Sequence, residues 1–256
     1  MRIDRHNKKK VLAFVAAILA ALPAVGLASG GEAHVEKANN DIHNEASLQR
    51  GAKNFVNYCL GCHTAKYVRY NRMAADIGLS EQQMIDNLMF TGDSPHQTMT
   101  NAMNPADAKK WFGVAPPDLS LIARSKGSDY VYTFLRSFYA DPTRATGANN
   151  LALPGTAMPH VLAPLQGLQR PRFETTTGAD GKETQHLAGL DPGALAGDMP
   201  AAAFDSFVRD TVAFLEYISE PHKAKRQALG VWVVLFLLMF TAFAWFLYKE
   251  YWKDVK

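Results

Sequence analysis

The sequence predicts a mainly α-helical domain of about 200 residues, led by an export signal and followed by one C-terminal transmembrane helix. Three observations carry that prediction. Two long uncharged stretches sit at opposite ends of the 256-residue chain. Apolar residues between them recur at three- and four-residue spacings. The few β-rich runs are short and broken by turn residues. With 48% hydrophobic, 11% aromatic and 20% charged residues, the chain is too rich in core-formers to be largely disordered.

At the N-terminus, Arg2, Arg5, Lys8, Lys9 and Lys10 precede an almost uncharged run, Val11 to Ala28, that ends in Gly26-Leu27-Ala28. A basic head, an apolar run and a small-x-small end form a secretory signal, so residues 1–28 are predicted to be removed on export. An uncleaved N-terminal anchor is the alternative, disfavoured by Pro23 and Gly26 in the run and the small residues at its end. Ala228 to Tyr248 holds 21 residues without a charge, about 31 Å of helix against a bilayer core of about 30 Å. Lys223, Lys225 and Arg226 before it, Lys249, Lys253 and Lys256 after it, and Trp232, Trp245, Tyr248, Tyr251 and Trp252 supply interfacial anchors. Basic flanks on both sides leave orientation to the export signal. Residues 29–222 are then expected in the periplasm, 223–248 as juxtamembrane segment and anchor in the bacterial inner membrane, and 249–256 as a cytoplasmic tail.

Within residues 29–222, Ser47 to Tyr58 and Ala201 to Ser219 read as amphipathic helices. Ser80-Glu81-Gln82-Gln83 has the form of a capping box opening a helix to Phe90. Shorter helical patterns lie at Asp118 to Ala123 and Tyr130 to Tyr139. Gly167 to Pro192 contains a threonine run broken at Gly178-Ala179-Asp180-Gly181-Lys182, the pattern of a small hairpin decorating the domain.

The two cysteines, Cys59 and Cys62, exclude a disulfide framework. They stand in Cys59-Leu60-Gly61-Cys62-His63, a C-x-x-C-H motif. Two thiols three positions apart at a helix end reach both vinyl groups of one porphyrin, and the following histidine is held under the iron. A zinc site lacks further ligands. A thiol–disulfide enzyme would place the motif after a strand, whereas a helical pattern precedes it here. Covalent haem is the reading that fits. A second axial ligand is open on residue types alone. Met73, Met84 and Met89 fall in helical patterns and Met239 in the span. Met99, Met103, Met158, Met199, His96 and His160 remain. Met158 lies in Leu153-Pro154-Gly155-Thr156-Ala157-Met158-Pro159, a stiff loop of small residues suited to a flat ring.

The chain resembles the cytochrome c1 family. The resemblance rests on the haem motif followed by Tyr67-Val68-Arg69-Tyr70, on Pro116-Pro117-Asp118-Leu119-Ser120 with Arg124, on Asp129-Tyr130-Val131, and on Leu153-Pro154-Gly155 with Met158-Pro159. It ends in Asp210-x-Val212-x-Phe214-Leu215 and the Glu220-Pro221 junction before the span. It implies a class I cytochrome c-like haem domain with long loop insertions and one covalently bound haem c. It further implies thioethers at Cys59 and Cys62, axial ligands His63 and Met158, Pro116 and Pro117 against the ring, Arg124 on a propionate and Tyr130 near the haem edge. Without the match, Arg124 and Tyr130 would read as ordinary surface and core residues. Trp111-Phe112-Gly113 before Pro116 departs from many relatives.

The same resemblance implies that the protein would be the electron-transfer subunit of a respiratory cytochrome bc1 complex. It would pass electrons from a Rieske iron-sulfur protein to a cytochrome c-type acceptor, beside cytochrome b, in a dimeric complex. Other classes kept open are an anchored cytochrome of a terminal oxidase or nitric oxide reductase, and a peroxidase or gas sensor should the sixth ligand be absent. No nucleic-acid partner is expected. The formal charge of +3 hides an acidic head. Removing the signal, the juxtamembrane cations and the tail leaves residues 29–222 at −5, a net sign that points to a basic acceptor.

Overall fold

The structure is a computed structural model describing residues 35–177 and 183–254. The predicted signal and the Gly178 to Lys182 turn lie outside the described residues. The first helix, α1 (Glu45–Tyr58), starts where the Asn44 side chain accepts from Ser47 N at 3.1 Å, with Glu45 in the first turn. Its apolar face is Leu48, Gly51, Ala52, Phe55 and Val56. That face packs on the helix nearest the C-terminal end of the head, which buries Phe204, Val208, Val212, Phe214, Leu215 and Ile218. The two backbones meet at Gly51. A Cβ there would stand 2.1 Å from the Asp210 carbonyl oxygen and 2.7 Å from Phe214 Cβ, so only glycine permits the crossing. Polar bonds pin the same crossing. Arg50 grips Asp210 at 2.6 and 3.0 Å, Ser47 Oγ donates to Asp210 at 2.5 Å, and Asn54 donates to Phe207 O and Thr211 Oγ1.

Between these helices the chain forms β1 (Ala65–Arg69), α2 (Tyr70–Asp76), α3 (Glu81–Leu88), β2 (Thr98–Met99), α4 (Pro105–Phe112), α5 (Ile122–Lys126), α6 (Ser128–Arg136), β3 (Phe138–Ala140), β4 (Ala148–Asn150), α7 (Ala163–Gln166), β5 (Gly167–Thr177) and β6 (Glu183–Ala196). The last two helices are α8 (Ala201–Ser219) and α9 (Lys223–Tyr251). The Ser80/Gln83 capping box opens α3 as the sequence predicts. Helix α4 carries signals the sequence reading passed over: an Asn104 cap, Pro105 in the first turn and Gly113 at φ +81° as the stop.

Three separate two-stranded antiparallel sheets are described: β1 with β2, β3 with β4, and β5 with β6. The hairpin is far longer than the sequence suggests. Its pairing runs from Gly167 opposite Ala196 to Thr177 opposite Glu183. Gln169 Nε2 ties its root to the head by donating to Arg136 O and Phe138 O at 2.7 and 2.9 Å. Two further differences have local causes. Residues 118–121 turn instead of forming helix because Asp118 Oδ1 accepts from Ser120 N, and α5 begins only at Ile122. Helix α6 stops at Arg136, since Phe138–Ala140 pairs with Ala148–Asn150.

The N-terminal segment crosses α6 and α8 as a strap. Glu36 N donates to Thr133 Oγ1, Ala38 N to Asp129 Oδ1, and Arg209 Nε to Ala38 O. Glu216 of α8 gathers three elements. Its carboxylate accepts from Asn40 of the strap, from Ser128 at the start of α6, and from Lys223 at the start of α9. Arg226 binds Glu220 at 2.7 Å. Two of the three juxtamembrane cations are therefore ion-paired to the head. Helix α9 has 29 residues, a mean hydropathy of 2.3 over its most apolar window and no buried surface, long and apolar enough to cross a membrane.

Candidate haem site

Helix α1 ends at Cys59, whose N–H donates to Phe55 O at 2.9 Å. The chain then turns back on itself, with Cys62 N and His63 N both bonded to Cys59 O at 3.1 and 2.8 Å. This single turn brings both thiols and the imidazole together. Both cysteines are free and half-buried. Gly61 between them faces open space, with nothing within 4 Å of where its Cβ would be. Burial pushes the Cys59 thiol up to about 12, and Cys62 beside it adds to the effect. A thiol–disulfide enzyme needs the opposite shift, toward thiolate.

His63 Nδ1 lies 2.8 Å from Pro117 O. A carbonyl can only accept, so Nδ1 carries the proton and Nε2 presents its lone pair. Burial lowers the His63 pKa, against the Pro117 carbonyl and Asp118, and so favours the neutral ring. The segment supplying that carbonyl is itself fixed. Asp118 accepts from Thr64 Oγ1 at 2.6 Å, Lys66 N at 2.9 Å and Ser120 N at 3.1 Å. Leu119 N donates to Thr64 O at 2.7 Å, and Tyr67 N to Ser120 Oγ at 3.1 Å. These bonds outweigh burial and hold the Asp118 carboxyl below its ordinary value. On the other flank, Asn101 Nδ2 donates to Leu60 O and His63 O.

The remaining predicted residues occupy other elements. Pro116 is half-buried and Pro117 exposed in the segment just described. Arg124 is exposed on α5, with no carboxylate partner among the described residues. Tyr130 of α6 stacks on Phe134 at 6.4 Å and 18°. Met158 is half-buried on the loop after β4. That loop is shaped by two asparagines. Asn150, fully buried, accepts from Ser137 Oγ, Ala152 N and Leu153 N and donates to Phe134 O. Asn149 Oδ1 accepts from Gly155 N at 2.8 Å, and Arg144 donates to Gly155 O at 2.8 Å, with Gly155 at φ +80°.

The alternative ligands have other surroundings. Met73, Met84 and Met99 are fully buried in the core, and Met199 N is bonded to Leu165 O. His96 is exposed with Nδ1 bonded to Asn71. Met103 N is bonded to Asn101, the residue that holds the His63 carbonyl. His160 stacks on Phe138 at 4.9 Å and 3°. Neither ring nitrogen makes a hydrogen bond among the described residues, and burial pushes its pKa down to about 4 despite Gly167 and Gln166 nearby. Sequence reasoning missed Asn101, Asn149 and Asn150. Only the Asn-Asn pair ahead of Leu-Ala-Leu-Pro-Gly carried a signal, since asparagine favours such turns.

The attachment turn, the free thiols and the Nε2 lone pair are the donor set a covalent haem requires. A family model described as the Cytochrome C1 family matches residues 36–167 and 194–255. The chain belongs to the cytochrome c1 family. It is 46% identical to cytochrome c1 of Allochromatium vinosum over 94% of this chain and 98% of that protein. It is 42% identical to a protein of Nitrosomonas europaea named ammonia monooxygenase gamma subunit, over 96% and 99%. Cytochrome c1 of Rhodospirillum rubrum is 27% identical over 92% and 97%. Cytochrome c1 proteins carry one covalent c-type haem and act as electron-transfer subunits, and Cys59 and Cys62 are present here in the matching C-x-x-C-H pattern. The family match skips residues 168–193, which make up most of the β5–β6 hairpin.

Proposed function

We propose that this member of the cytochrome c1 family serves a cytochrome bc1 complex, taking single electrons from a Rieske iron-sulfur protein and delivering them to a c-type acceptor. Cytochrome b lies beside it in a dimeric assembly. The haem supplies one-electron chemistry between ferrous and ferric iron. The protein's residues do the positioning. Cys59 and Cys62 would hold the ring through thioethers, and His63 and Met158 would ligate the iron. Pro116 and Pro117 would pack against the ring and exclude water, and Arg124 would offer a planar guanidinium to a propionate. Tyr130 of α6 would stand near its edge. The head stands on the periplasmic side of the bacterial inner membrane, held by α9 with the 249–256 tail in the cytoplasm.

The observation that carries this reading is the bond from His63 Nδ1 to Pro117 O. It presets the ligating tautomer and links the attachment turn to the Pro-Pro wall. Support for Met158 comes from the Asn149/Asn150-braced loop and from the competing roles of the other methionines. The test is the optical spectrum of the purified protein. Met158→Leu should keep covalent haem but lose the methionine–iron charge-transfer band and lower the midpoint potential. A band unchanged in that variant sinks the assignment.

A further inference from the structure

The net charge of the head conceals a strong polarity. Residues 59–69 and 91–126, the attachment turn with β1 and the segment holding its partners Asn101 and Pro117–Ser120, carry six cations against three carboxylates. The remainder of residues 35–222 carries ten cations against seventeen carboxylates. The three carboxylates on the attachment side are largely occupied. Asp118 spends both oxygens on three hydrogen bonds, and Asp107 pairs with Lys110 at 3.0 Å. Asp93 stands exposed in the turn between α3 and β2. Lys66, Arg69, Lys109 and Lys126 have no carboxylate partner among the described residues, and all four are exposed. Arg69 donates only to a neutral carbonyl, that of His96. Some of the remaining carboxylates stand far from the attachment turn. Glu45 opens α1, fourteen residues and about 20 Å from its cysteine end. The α2–α3 turn leading to Glu81 packs there, since a Cβ on Gly78 would lie 3.1 Å from the Glu45 carboxylate.

The basic side also exposes large apolar groups. Tyr67, Trp111, Val114 and Leu121 all stand on the chain that carries or adjoins the Pro116–Ser120 segment, and each is between 46% and 66% exposed. Unpaired cations interspersed with exposed apolar groups on the segments that carry and brace the attachment turn fit a transient, electrostatically steered docking site.

We propose that the haem-attachment face docks an acidic one-electron redox protein, steered by Lys66, Arg69, Lys109 and Lys126 onto the apolar patch of Tyr67, Trp111, Val114 and Leu121. This reverses the sign expected from net charge, and it rests on the reading that electrons leave by this edge. One electron passes from the ferrous iron of this chain to the oxidised centre of the partner; no bond is formed and no proton moves.

The test uses the haem-loaded full chain in its detergent-purified complex, reduced and mixed with two probes, one acidic and one basic c-type cytochrome of matched potential. The acidic probe should be reduced faster, with a rate that falls about tenfold or more on raising salt from ~20 to ~500 mM. The triple variant Lys66→Glu/Lys109→Glu/Lys126→Glu should reverse the preference. Arg172→Glu, a single reversal of the same kind on the β5–β6 hairpin, should leave the preference intact, whereas Lys66→Glu alone should weaken it. A wild-type preference for the basic probe, a salt-independent rate, or an equal effect of Arg172→Glu overturns the proposal. Titration with redox-inert zinc-porphyrin forms of both probes separates the two readings. Lost selectivity in binding sinks the docking face, while selective binding without electron transfer sinks the electron-exit reading instead.

Discussion

His63 donates from Nδ1 to the carbonyl oxygen of Pro117 at 2.8 Å, joining two segments 54 residues apart in the chain. Neither partner acts alone: the carbonyl is held by Asp118, and Asp118 is held by the backbone that follows His63. Removing Asp118 tests that mutual support. Asp118→Ala leaves Thr64 Oγ1, Lys66 N and Ser120 N without their acceptor, at a cost of about 1–3 kcal/mol. A looser Pro117 carbonyl makes the His63 ring less basic, so the midpoint potential should rise by the order of tens of millivolts. Redox titration and thermal unfolding check both. A lowered Tm with an unchanged potential would leave Asp118 a purely structural residue.

Asn150 has the corresponding duty on the Met158 side. Asn150→Ala removes one donor and one shared acceptor from a fully buried position. A loss of about 2–3 kcal/mol is expected. The Ala152 and Leu153 amides are freed at the same time, so the methionine–iron band should weaken while the haem stays covalently attached. An intact band at full strength would show that the loop holds its shape without the asparagine.

Gly51→Ala examines the α1–α8 crossing. A methyl group 2.1 Å from the Asp210 carbonyl forces the helices apart, and overpacking of this kind costs at least about 2 kcal/mol. Denaturant unfolding of the detergent-solubilised protein should show it. Ala52→Gly, one position along, would lose helix propensity and a small packing contact without any clash, at roughly 1 kcal/mol.

Glu216 gives the head a defined acid sensitivity. Burial alone would raise its pKa, but hydrogen bonds from Lys223, Ser128 and Asn40 outweigh it and hold the carboxyl below its ordinary 4.5. A depressed folded-state value means the stabilisation is complete above the unfolded value and is lost as pH falls through the folded one. The Tm of the wild type should therefore drop as pH falls below about 4.5, and the gap between wild type and Glu216→Gln should close over that window. A gap independent of pH would mean that the ionised form is not what ties the strap, α6 and α9 together.

Much of the fold was legible in the sequence because it followed from local rules. The spacing of Leu48, Phe55, Phe204 and Val212 marks the two long helices, Ser80 and Gln83 mark a cap, and the uncharged run marks α9. The Cys59–His63 turn was legible for the same reason, since its chemistry is contained in five adjacent residues. What escaped depends on pairing across the chain. Asn101 and Asn150 act through carbonyls and amides that come near only after folding. Sequence periodicity placed a helix at Asp118, where hydrogen bonds from Thr64 and Lys66 favour a turn. The hairpin was underestimated because Pro171, Gly189, Pro192 and Gly193 interrupt the alternation that marks a strand. Only the partner strand restores the pairing.

The α1–α8 contact also orders events in time. The buried face of α1 finds its partner more than 150 residues later, at Phe204 to Ile218. A chain emerging N-terminus first thus exposes Cys59 and Cys62 long before that partner exists, and a lone fourteen-residue helix is marginal in water. The Cys59–His63 turn is therefore synthesised well before the helix that α1 packs on, and the long-range contact that completes α1's burial is among the last of the head to form.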